Sequence, residues 1–424
     1  MESIFNNRIH FNDSCDFLFN SFTHASMLVK SYKSFEELSS NPKTYSWLEQ
    51  NGFLVKSNED CFEKIKEIFE KNTVQTNSDF LLTINPTLNC NFRCWYCYEN
   101  HNDKRPMSSD ILTTCRKAIA KIFMDYDSIS IMFFGGEPLL EYKSIVLPIM
   151  EFCKQQSETC GKPYIISFTT NGFLLSDQII ADFKHFSIGH FQITLDGGRE
   201  FHNKTRVSNK SDSFKTITDN IKKLANNGLE VIVRLNVTAE NITSCLEIPS
   251  YLSDISDDAK KRVKFTVQQV WQDKAKDIST KTFELYKQIA ENEFKVSEMI
   301  NDRLKNPCYG DKENSAVINF DGKVYKCTAI NFEEFLPDGE IKEDGSISMD
   351  SYMLDNRKKL WETKCKVCRI LPMCCGGCAK TLMDRERGGV CPYPDDEAKD
   401  KFVIRAIEEQ YYMKQLEEIY DKQD

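Results

Sequence analysis

The chain has 424 residues with 64 acidic against 55 basic side chains, so it is long enough for two or three domains and carries no basic excess for nucleic acid or anionic membrane. No apolar stretch approaches the ~20 residues that cross a bilayer, and the first residues lack the basic and apolar regions of a signal peptide. The sequence therefore predicts a cytoplasmic protein. Its 17 cysteines then indicate metal ligation, because cytosolic thiols are kept reduced.

Residues 1–78 are predicted to form a small module of strands and helices. Two short apolar runs, 16–20 and 25–29, lie on either side of a polar turn and predict strands. Helical periodicity follows at 34–51 and 59–72. No residue of this module has an obvious chemical role.

From about residue 79 to 300, strand-like and helix-like segments alternate, which predicts parallel βα units. The predicted strands are 80–85, 128–134, 164–169, 189–195, 230–237 and 263–270. The predicted helices between them include 108–124, 141–157, 175–185 and 213–226. In βα barrels the chemistry collects at the C-terminal ends of the strands, so we expect functional side chains directly after each strand.

Three cysteines, Cys90, Cys94 and Cys97, follow the first predicted strand in a C-x3-C-x2-C spacing. Three thiolates can hold three corners of a cubane iron-sulfur cluster, and because this loop has no fourth cysteine, the fourth iron is left without a protein ligand. A metal with an open position is a reactive one. Zinc is the alternative, although its usual ligands are paired C-x2-C knuckles.

The loop, with Tyr96 directly before its last cysteine, resembles the cluster loop of radical S-adenosylmethionine (SAM) enzymes. The resemblance implies an α/β fold, a partial (β/α)6 TIM-type barrel, with SAM as a cofactor. It also implies that the open iron chelates the amino and carboxylate groups of SAM. An electron from the cluster would then cleave SAM to a 5′-deoxyadenosyl radical.

The ends of the second and third predicted strands carry further motifs similar to those of this family. The second strand ends in Gly135, Gly136 and Glu137, followed by proline, which matches the GGEP motif that hydrogen-bonds the ammonium group of SAM. The third ends in Thr170 and Asn171, followed by glycine, which is similar to the family's TNG turn. The resemblance assigns these five residues to SAM binding.

The fourth and fifth predicted strands supply the remaining candidates for SAM binding. Thr194 and Asp196 resemble the family's S-x-D-G stretch, with threonine where serine is usual. Arg206 follows at the family's spacing, and its guanidinium fork suits the SAM carboxylate. His202 is interpreted as a hydrogen-bonded structural residue. Arg234, on the fifth strand, either lines the barrel or faces a helix end or solvent.

Past residue 300 the sequence becomes dense in cysteine. A segment with an Asp-Gly turn at residues 321–322 predicts a hairpin. Around and beyond it lie seven candidate metal ligands: Cys308, Cys327, Cys365, Cys368, Cys374, Cys378 and Cys391. Their order resembles the SPASM domain, a C-terminal extension that binds two auxiliary four-iron clusters in some radical SAM enzymes.

The resemblance divides these seven cysteines between the two auxiliary clusters. One cluster is implied to be fully ligated by Cys365, Cys368, Cys374 and Cys391. The other is implied to be held by Cys308, Cys327 and Cys378. That cluster has an open iron unless an eighth cysteine completes it, for which the adjacent Cys375 is a spare candidate. A zinc ribbon over residues 365–391 is the alternative.

The predicted domains are a module at 1–78, a radical SAM core at 79–300, a SPASM domain at 301–394 and an amphipathic helix at 395–424. The module is similar in outline to the leader-peptide recognition elements of many peptide-modifying radical SAM enzymes. Its strand edge would bind an extended leader by strand addition. A structural cap on the core is the alternative role.

The leading functional hypothesis is maturation of a ribosomally made precursor peptide by a thioether or carbon-carbon cross-link. It requires three [4Fe-4S] clusters, SAM, and an electron donor of the flavodoxin or ferredoxin type. The alternatives are a formylglycine-generating anaerobic sulfatase maturase, a small-molecule dehydrogenase and a non-catalytic metal-stabilised peptide-binding scaffold. Sulfatase maturases generally have an acidic residue where this chain has Thr328. No catalytic acid or base is identified.

Overall fold

The computed structural model describes residues 1–74, 78–207, 212–273, 278–297, 303–386 and 390–421. The chain divides into two compact units. Unit 1 comprises Met1–Gln75, Ile300–Glu313 and Asp350–Tyr412, and unit 2 comprises Thr76–Met299, Asn314–Met349 and Met413–Asp424. In the described ranges, no helix has the length and apolar character needed to cross a membrane.

The strands confirm the predicted sequence of βα units. In chain order they are β1 (Asn6–Asn12), β2 (Cys15–Asn20), β3 (Ser26–Lys30), β4 (Asp79–Ile84), β5 (Arg93–Cys94), β6 (Ser128–Phe133), β7 (Tyr164–Thr170), β8 (Ile188–Leu195), β9 (Arg206–Val207), β10 (Glu230–Val237), β11 (Val263–Gln269), β12 (Lys295–Val296), β13 (Ser315–Ile318), β14 (Lys323–Tyr325), β15 (Gly339–Ile341) and β16 (Ile347–Met349). The strands predicted between residues 79 and 300 are β4, β6, β7, β8, β10 and β11, and their ends differ from the prediction by at most one residue.

The helices alternate with these strands. In chain order they are α1 (Phe35–Ser39), α2 (Pro42–Gln50), α3 (Asn58–Thr73), α4 (Ser109–Asp125), α5 (Leu147–Cys160), α6 (Asp177–Phe183), α7 (Arg199–Thr205), α8 (Ser213–Asn226), α9 (Ile242–Cys245), α10 (Ile248–Leu252), α11 (Asp257–Lys260), α12 (Ser279–Glu291), α13 (Tyr352–Leu360), α14 (Leu371–Cys374), α15 (Ala379–Met383) and α16 (Asp396–Tyr420). The helix predicted at 141–157 is wrong at its start, where a π-helical turn at Tyr142–Val146 precedes α5. Pro148 lies in the first turn of α5, where its missing N–H costs no hydrogen bond.

Unit 2 is built on one mixed sheet, which has eleven strands in the described ranges, in the order β12-β11-β10-β8-β7-β6-β4-β13-β14-β15-β16. The neighbours from β4 to β12 pair in parallel, as crossover helices require. This is the α/β fold of the predicted partial barrel.

The two faces of the parallel strands differ in polarity. In β10, Val233 and Leu235 are fully buried, whereas Arg234 between them is partly exposed, because successive side chains point to opposite faces. Helix α8 packs along β10 and presents a row of buried apolar residues. On the opposite face, Thr194 of β8 and Thr266 of β11 flank Arg234 in register. This polar inner face is available for a functional site.

Residues 314–349 extend the same sheet beyond the first strand of the barrel. β13 pairs in parallel with β4 and antiparallel with β14, and Gly322 in their turn has φ +83°, which confirms the predicted Asp-Gly hairpin. The sequence assigns these residues to the cysteine-rich domain. They belong to unit 2 because their strands hydrogen-bond to the barrel.

The N-terminal part of unit 1 is an antiparallel sheet in the order β1-β2-β3, followed by α1, α2 and α3. β2 and β3 confirm the predicted strands, whereas β1 was not predicted because its sequence, Asn6–Asn12, is mostly polar. The helix predicted at 34–51 is divided in two. The side chain of Asn41 caps α2 and Pro42 begins it, so the chain restarts a helix there.

Both faces of this small sheet are covered within unit 1. One face packs against α1 and α2 through Leu18, Val29, Phe35, Leu48 and Phe53. Residues of the other face pack on the cysteine-rich segment and on α16, in a cluster of Phe19, Ile370, Met373, Cys374, Val403 and Ala406. The module is therefore part of one core with the C-terminal cysteines.

Candidate functional site

The cluster loop after β4 brings the three predicted ligands Cys90, Cys94 and Cys97 together. The Cys97 N–H donates to the carbonyl of Cys94 at 3.1 Å, and the Phe92 N–H donates to the Cys90 sulfur at 3.4 Å. β5 pairs antiparallel with β9, which places Cys94 opposite Arg206. The loop is therefore held from both its own backbone and the chain beyond the fourth barrel strand.

The three thiols influence one another electrostatically. Burial raises the pKa of Cys90 to about 12 and that of Cys97 to about 11, and the charge of Cys94 adds to both increases. Burial also raises the pKa of Cys94. Since metals bind the thiolate, cluster assembly here must release protons.

The described residues include no group of three or more His, Cys, Asp or Glu side chains that converge as ligands of one metal ion. Sulfurs around a single zinc lie about 3.8 Å apart, because each is ~2.3 Å from the metal at a tetrahedral angle. In a four-iron cluster each thiolate holds a separate iron, so the sulfurs lie further apart. Neighbouring but non-convergent thiols fit a cluster better than a zinc ion.

The segment after β6 lies directly against the cluster loop. A Cβ on Gly136 would be 2.3 Å from the carbonyl oxygen of Asn89 and 2.4 Å from that of Leu88. The Glu137 N–H donates to the same Asn89 oxygen at 2.8 Å. Glycine is therefore required at position 136 by the close approach of two backbone segments.

Glu137 joins the ends of the second and third barrel strands. Its buried carboxylate accepts hydrogen bonds from the Thr170 hydroxyl at 2.7 Å, the Asn171 N–H at 2.8 Å and the Leu139 N–H at 3.0 Å. The Asn171 amide in turn donates to Asn91 Oδ1 in the cluster loop at 2.7 Å. These bonds give Glu137, Thr170 and Asn171 a positioning role, and their predicted contact with SAM stays a prediction.

Asp196 connects the cluster loop to the fourth barrel strand. Its fully buried carboxylate accepts hydrogen bonds from Arg206 Nε and from the Tyr96 hydroxyl, both at 2.7 Å. Arg206 Nη2 also lies 3.5 Å from the Tyr96 hydroxyl. Three residues predicted for SAM binding thus form one buried network next to Cys94. The predicted pairing of Arg206 with the SAM carboxylate stays a prediction.

His202 supports this network from beneath. Its Nδ1 accepts the Asp196 N–H at 3.4 Å, and its ring packs edge-on against Phe214. Burial, with the nearby charge of Arg206, holds the pKa of His202 well below its usual range. A neutral, hydrogen-bonded histidine fits the predicted structural role.

Arg234 lies on the inner face, in register with Thr194. Its Nε donates to Asn236 Oδ1 at 2.8 Å. Burial lowers the pKa of Arg234, and the charges of Tyr98 and Asp196 are among those that oppose the change. Of the orientations that the sequence left open, the structure has the one that lines the barrel.

The sequence did not single out two aromatic residues that meet at the barrel mouth. The rings of Tyr98 and Trp271 stack with centroids 5.7 Å apart, and Gln272 Nε2 donates to the Tyr96 carbonyl at 2.6 Å. The chain after β11 therefore contacts the cluster loop. Trp271 is 56% exposed and Trp95 is 60% exposed, so the mouth presents aromatic surface. The W-Y-C-Y run signals the loop aromatics, but nothing local signals Trp271.

His101 was also missed, although it follows Cys97 by four residues. Its Nε2 lies 3.3 Å from the Cys97 sulfur, and its Nδ1 lies 2.6 Å from the carbonyl oxygen of Leu88. The neighbouring Glu99 is buried, and burial, followed by the charge of Glu333, raises its pKa to about 8. Both residues belong to the wall of the cluster loop.

In unit 1, four predicted ligands line a single cavity of about 270 Å³. They are Cys365, Cys368, Cys374 and Cys391. Burial raises the pKa of Cys365 to about 12, and the charges of the other three thiols contribute to the increase. Four thiols around one cavity are the donor set of a fully ligated four-iron cluster.

The remaining cysteines are divided between the units. Cys308 and Cys378 are electrostatic neighbours in unit 1, and burial is the main cause of the raised pKa of Cys308. Cys327 is buried in unit 2, directly after β14. Cys375 is fully buried, and its thiol lies 3.5 Å from the carbonyl oxygen of Pro372. Its use as an eighth ligand stays a prediction.

Comparison with known proteins identifies the class of this site. Residues 84–252 match the family described as the Radical SAM superfamily. That range contains the cluster loop, both glycine turns and the Asp196 network. The chain carries a radical SAM domain and belongs to this superfamily of enzymes, whose members use a [4Fe-4S] cluster and SAM.

Among curated proteins, the cysteine-type anaerobic sulfatase-maturating enzyme of Clostridium novyi is 25% identical over 334 residues, which cover 69% of this chain and 85% of that enzyme. Other curated relatives are 30–31% identical over shorter stretches, and the chain spans 38–46% of their length. The longer match includes regions on both sides of the radical SAM domain.

Two solved structures share the fold. The structure of anSMEcpe with bound AdoMet and Cp18Cys peptide has a TM-score of 0.57 at 18% identity and covers 80% of this chain and 99% of that one. The structure of Streptococcus suis SuiB bound to precursor peptide SuiA has a TM-score of 0.50 at 14% identity and covers 89% of this chain and 97% of that one. At these identities the likeness concerns the fold.

Proposed function

We propose that this protein modifies a ribosomally made precursor peptide, forming a thioether or carbon-carbon cross-link with the help of three four-iron clusters. The observation that carries the proposal is the cavity lined by four cysteines in unit 1, in a chain that also has a radical SAM site. Enzymes that resemble this combination mostly act on peptides. The two solved structures of similar fold contain peptides, Cp18Cys in one and SuiA in the other.

The residues of unit 2 fit the cluster and SAM by their donor set. When bound, the cluster and SAM supply a carbon-centred radical that abstracts hydrogen from the substrate. Cys90, Cys94 and Cys97 would hold three irons. Asp196 and its two buried partners fix the loop, so the ligands are held in place before the cofactors bind. The helices on the opposite face keep that side of the sheet dry.

The residues of unit 1 suit an electron-accepting role. The four-thiol cavity leaves no iron of a bound cluster open, so Cys365 and its three partners would hold an electron carrier. Cys308 and Cys378 would hold part of the second auxiliary cluster. A cross-link removes hydrogen and therefore leaves a surplus electron, which these clusters would pass to a donor-acceptor protein of the flavodoxin or ferredoxin type.

The N-terminal sheet offers a binding edge for the leader segment of the peptide. β3 pairs with β2, and in the described ranges no strand pairs with its other edge. Leu28 on this edge strand is 56% exposed. An extended peptide that adds to β3 would gain backbone hydrogen bonds and cover this side chain.

Replacing Leu28 with glutamate is expected to weaken leader binding about 10-fold, because burying a leucine contributes ~1.5–3 kcal/mol and a charge opposes that burial. Phe11→Glu is the matched control, since Phe11 is 68% exposed on the opposite edge strand. The measurement is fluorescence anisotropy of the labelled peptide encoded by a short reading frame beside this gene. Equal losses in both variants, or none in either, would contradict leader binding at β3.

Formylglycine formation is the second candidate, because the Clostridium novyi sulfatase-maturating enzyme matches over 85% of its length. Against it stands Thr328, where such enzymes generally have an acidic residue. Mass spectrometry of the peptide after reaction with SAM and dithionite separates the two. A cross-link removes a pair of hydrogens and keeps every sulfur, whereas formylglycine formation from cysteine removes its sulfur.

A further inference from the structure

Three charged side chains form a buried group among the cysteines of unit 1. Asp311 is fully buried, and its Oδ2 accepts a hydrogen bond from Arg303 Nη2 at 2.6 Å. Its Oδ1 pairs with Arg357 Nη2. The side chain of Arg357 is 6% exposed and that of Arg303 is 18% exposed. We call Asp311, Arg303 and Arg357 the charged triad.

The two arginines also hold the backbone of the loop that carries Cys374. Arg303 donates to the carbonyls of Cys374 at 2.9 Å and Gly377 at 3.1 Å. Arg357 donates to the carbonyls of Cys375 at 2.5 Å and Gly377 at 3.3 Å. Cys375 has φ +52°, a left-handed conformation that is costly for a residue with a side chain. The charged triad therefore stabilises an unfavourable turn next to a predicted cluster ligand.

The same arginines act electrostatically on cysteines from both predicted auxiliary sets. The charge of Arg303 lowers the pKa of Cys308 and of Cys374 against the larger, opposite effect of burial. The charge of Arg357 does the same for Cys365. Each guanidinium is thus close enough to a sulfur to stabilise negative charge on it, and this part of the chain is mostly buried, where screening is weak.

Burying this group is costly unless its charge is used. Two guanidinium groups and one carboxylate leave a net charge of about +1, and buried charged groups seldom repay their desolvation in stability. A positive charge near a cluster favours the reduced state, which carries one more electron. Reduction here adds one electron from dithionite to a cluster, with no bond made or broken.

We propose that the charged triad raises the reduction potential of the auxiliary clusters, so that they accept the surplus electron of peptide oxidation. The inference rests on the proposed function, since it requires that the cysteines of unit 1 hold iron-sulfur clusters. The arginines act on the clusters through charge, and they keep the turn at Cys375 in place through hydrogen bonds.

The test is a dithionite titration followed by EPR on the full-length, anaerobically reconstituted Cys90→Ala/Cys94→Ala/Cys97→Ala variant, in which auxiliary clusters give the signal. Adding Arg303→Gln should shift their midpoint potential to more negative values, whereas Arg303→Lys, which keeps the charge, should restore most of it. Asp311→Asn should shift it the opposite way, because the net charge rises. Arg385→Gln is the matched control, since Arg385 pairs with Asp350 at a more exposed place in unit 1.

Opposite shifts for Arg303→Gln and Asp311→Asn would support the inference, since general damage to the fold moves both in one direction. Unchanged potentials with full iron content, or loss of auxiliary iron from both Arg303→Gln and Arg303→Lys, would overturn it. Failure of the proposed function is a separate result: the parent variant would then contain no iron-sulfur cluster at all.

Discussion

Replacing Gly136 with alanine is expected to lower the rate of 5′-deoxyadenosine formation about 100-fold, the size of effect that a 1 Å misplacement of catalytic groups can have. The new Cβ would be 2.3 Å from the carbonyl oxygen of Asn89, so the cluster loop would have to shift. Both neighbours are backbone atoms and cannot rotate away. The measurement is deoxyadenosine released under dithionite by variant and wild-type enzyme, each normalised to iron content.

The matched control for this prediction is Gly228→Ala. Gly228 has φ +83°, so alanine there costs ~1–2 kcal/mol, but no atom lies within 4 Å of its Cβ position. We expect this variant to be less stable and nearly as active as the wild type. Equal activity of the Gly136 and Gly228 variants would show that close packing of the glycine turn on the cluster loop has no functional role.

Replacing Asp196 with asparagine is expected to abolish SAM cleavage and to lower the free energy of unfolding by about 3–5 kcal/mol, the cost of leaving a buried charge without its partner. Arg206 is only 8% exposed and would lose its carboxylate, while the Tyr96 hydroxyl would lose its acceptor. The cluster loop would then be free to move away from β9. Urea unfolding and deoxyadenosine release measure the two effects.

Asp219→Asn provides the matched control. Asp219 pairs with Lys215 on the exposed surface of α8, and such pairs contribute ~0–1 kcal/mol. This variant is expected to match the wild type in both assays. If Asp196→Asn retained full SAM cleavage, the buried network could not be what positions the cluster loop.

The sequence was sufficient to locate the site because its determinants are local. Cys90, Cys94 and Cys97 lie on one loop, and the glycines at 135 and 136 directly follow a strand whose apolar run is unambiguous. In parallel βα units the strand ends meet at one edge, so motifs that are far apart in sequence were expected to lie together. The contact of Gly136 with Asn89 has this origin.

Contacts that depend on tertiary packing could not be predicted in the same way. Asp311 lies three residues after Cys308, yet its pairing with Arg357 depends on how the cysteine loops fold back. The stacking of Trp271 on Tyr98 likewise joins segments about 170 residues apart, and no local pattern encodes it. β1 was missed because Asn6–Asn12 has little apolar alternation, and it pairs because β2 offers an edge.

The measurement that tests the central claim most directly is iron and sulfide per chain in anaerobically reconstituted protein, for the wild type and for Cys90→Ala/Cys94→Ala/Cys97→Ala. Deoxyadenosine is assayed in the same samples after SAM and dithionite are added. A three-cluster radical enzyme predicts about twelve irons in the wild type and about eight in the variant, with deoxyadenosine from the wild type alone. Zinc without sulfide, or iron without SAM cleavage in the wild type, would contradict the account.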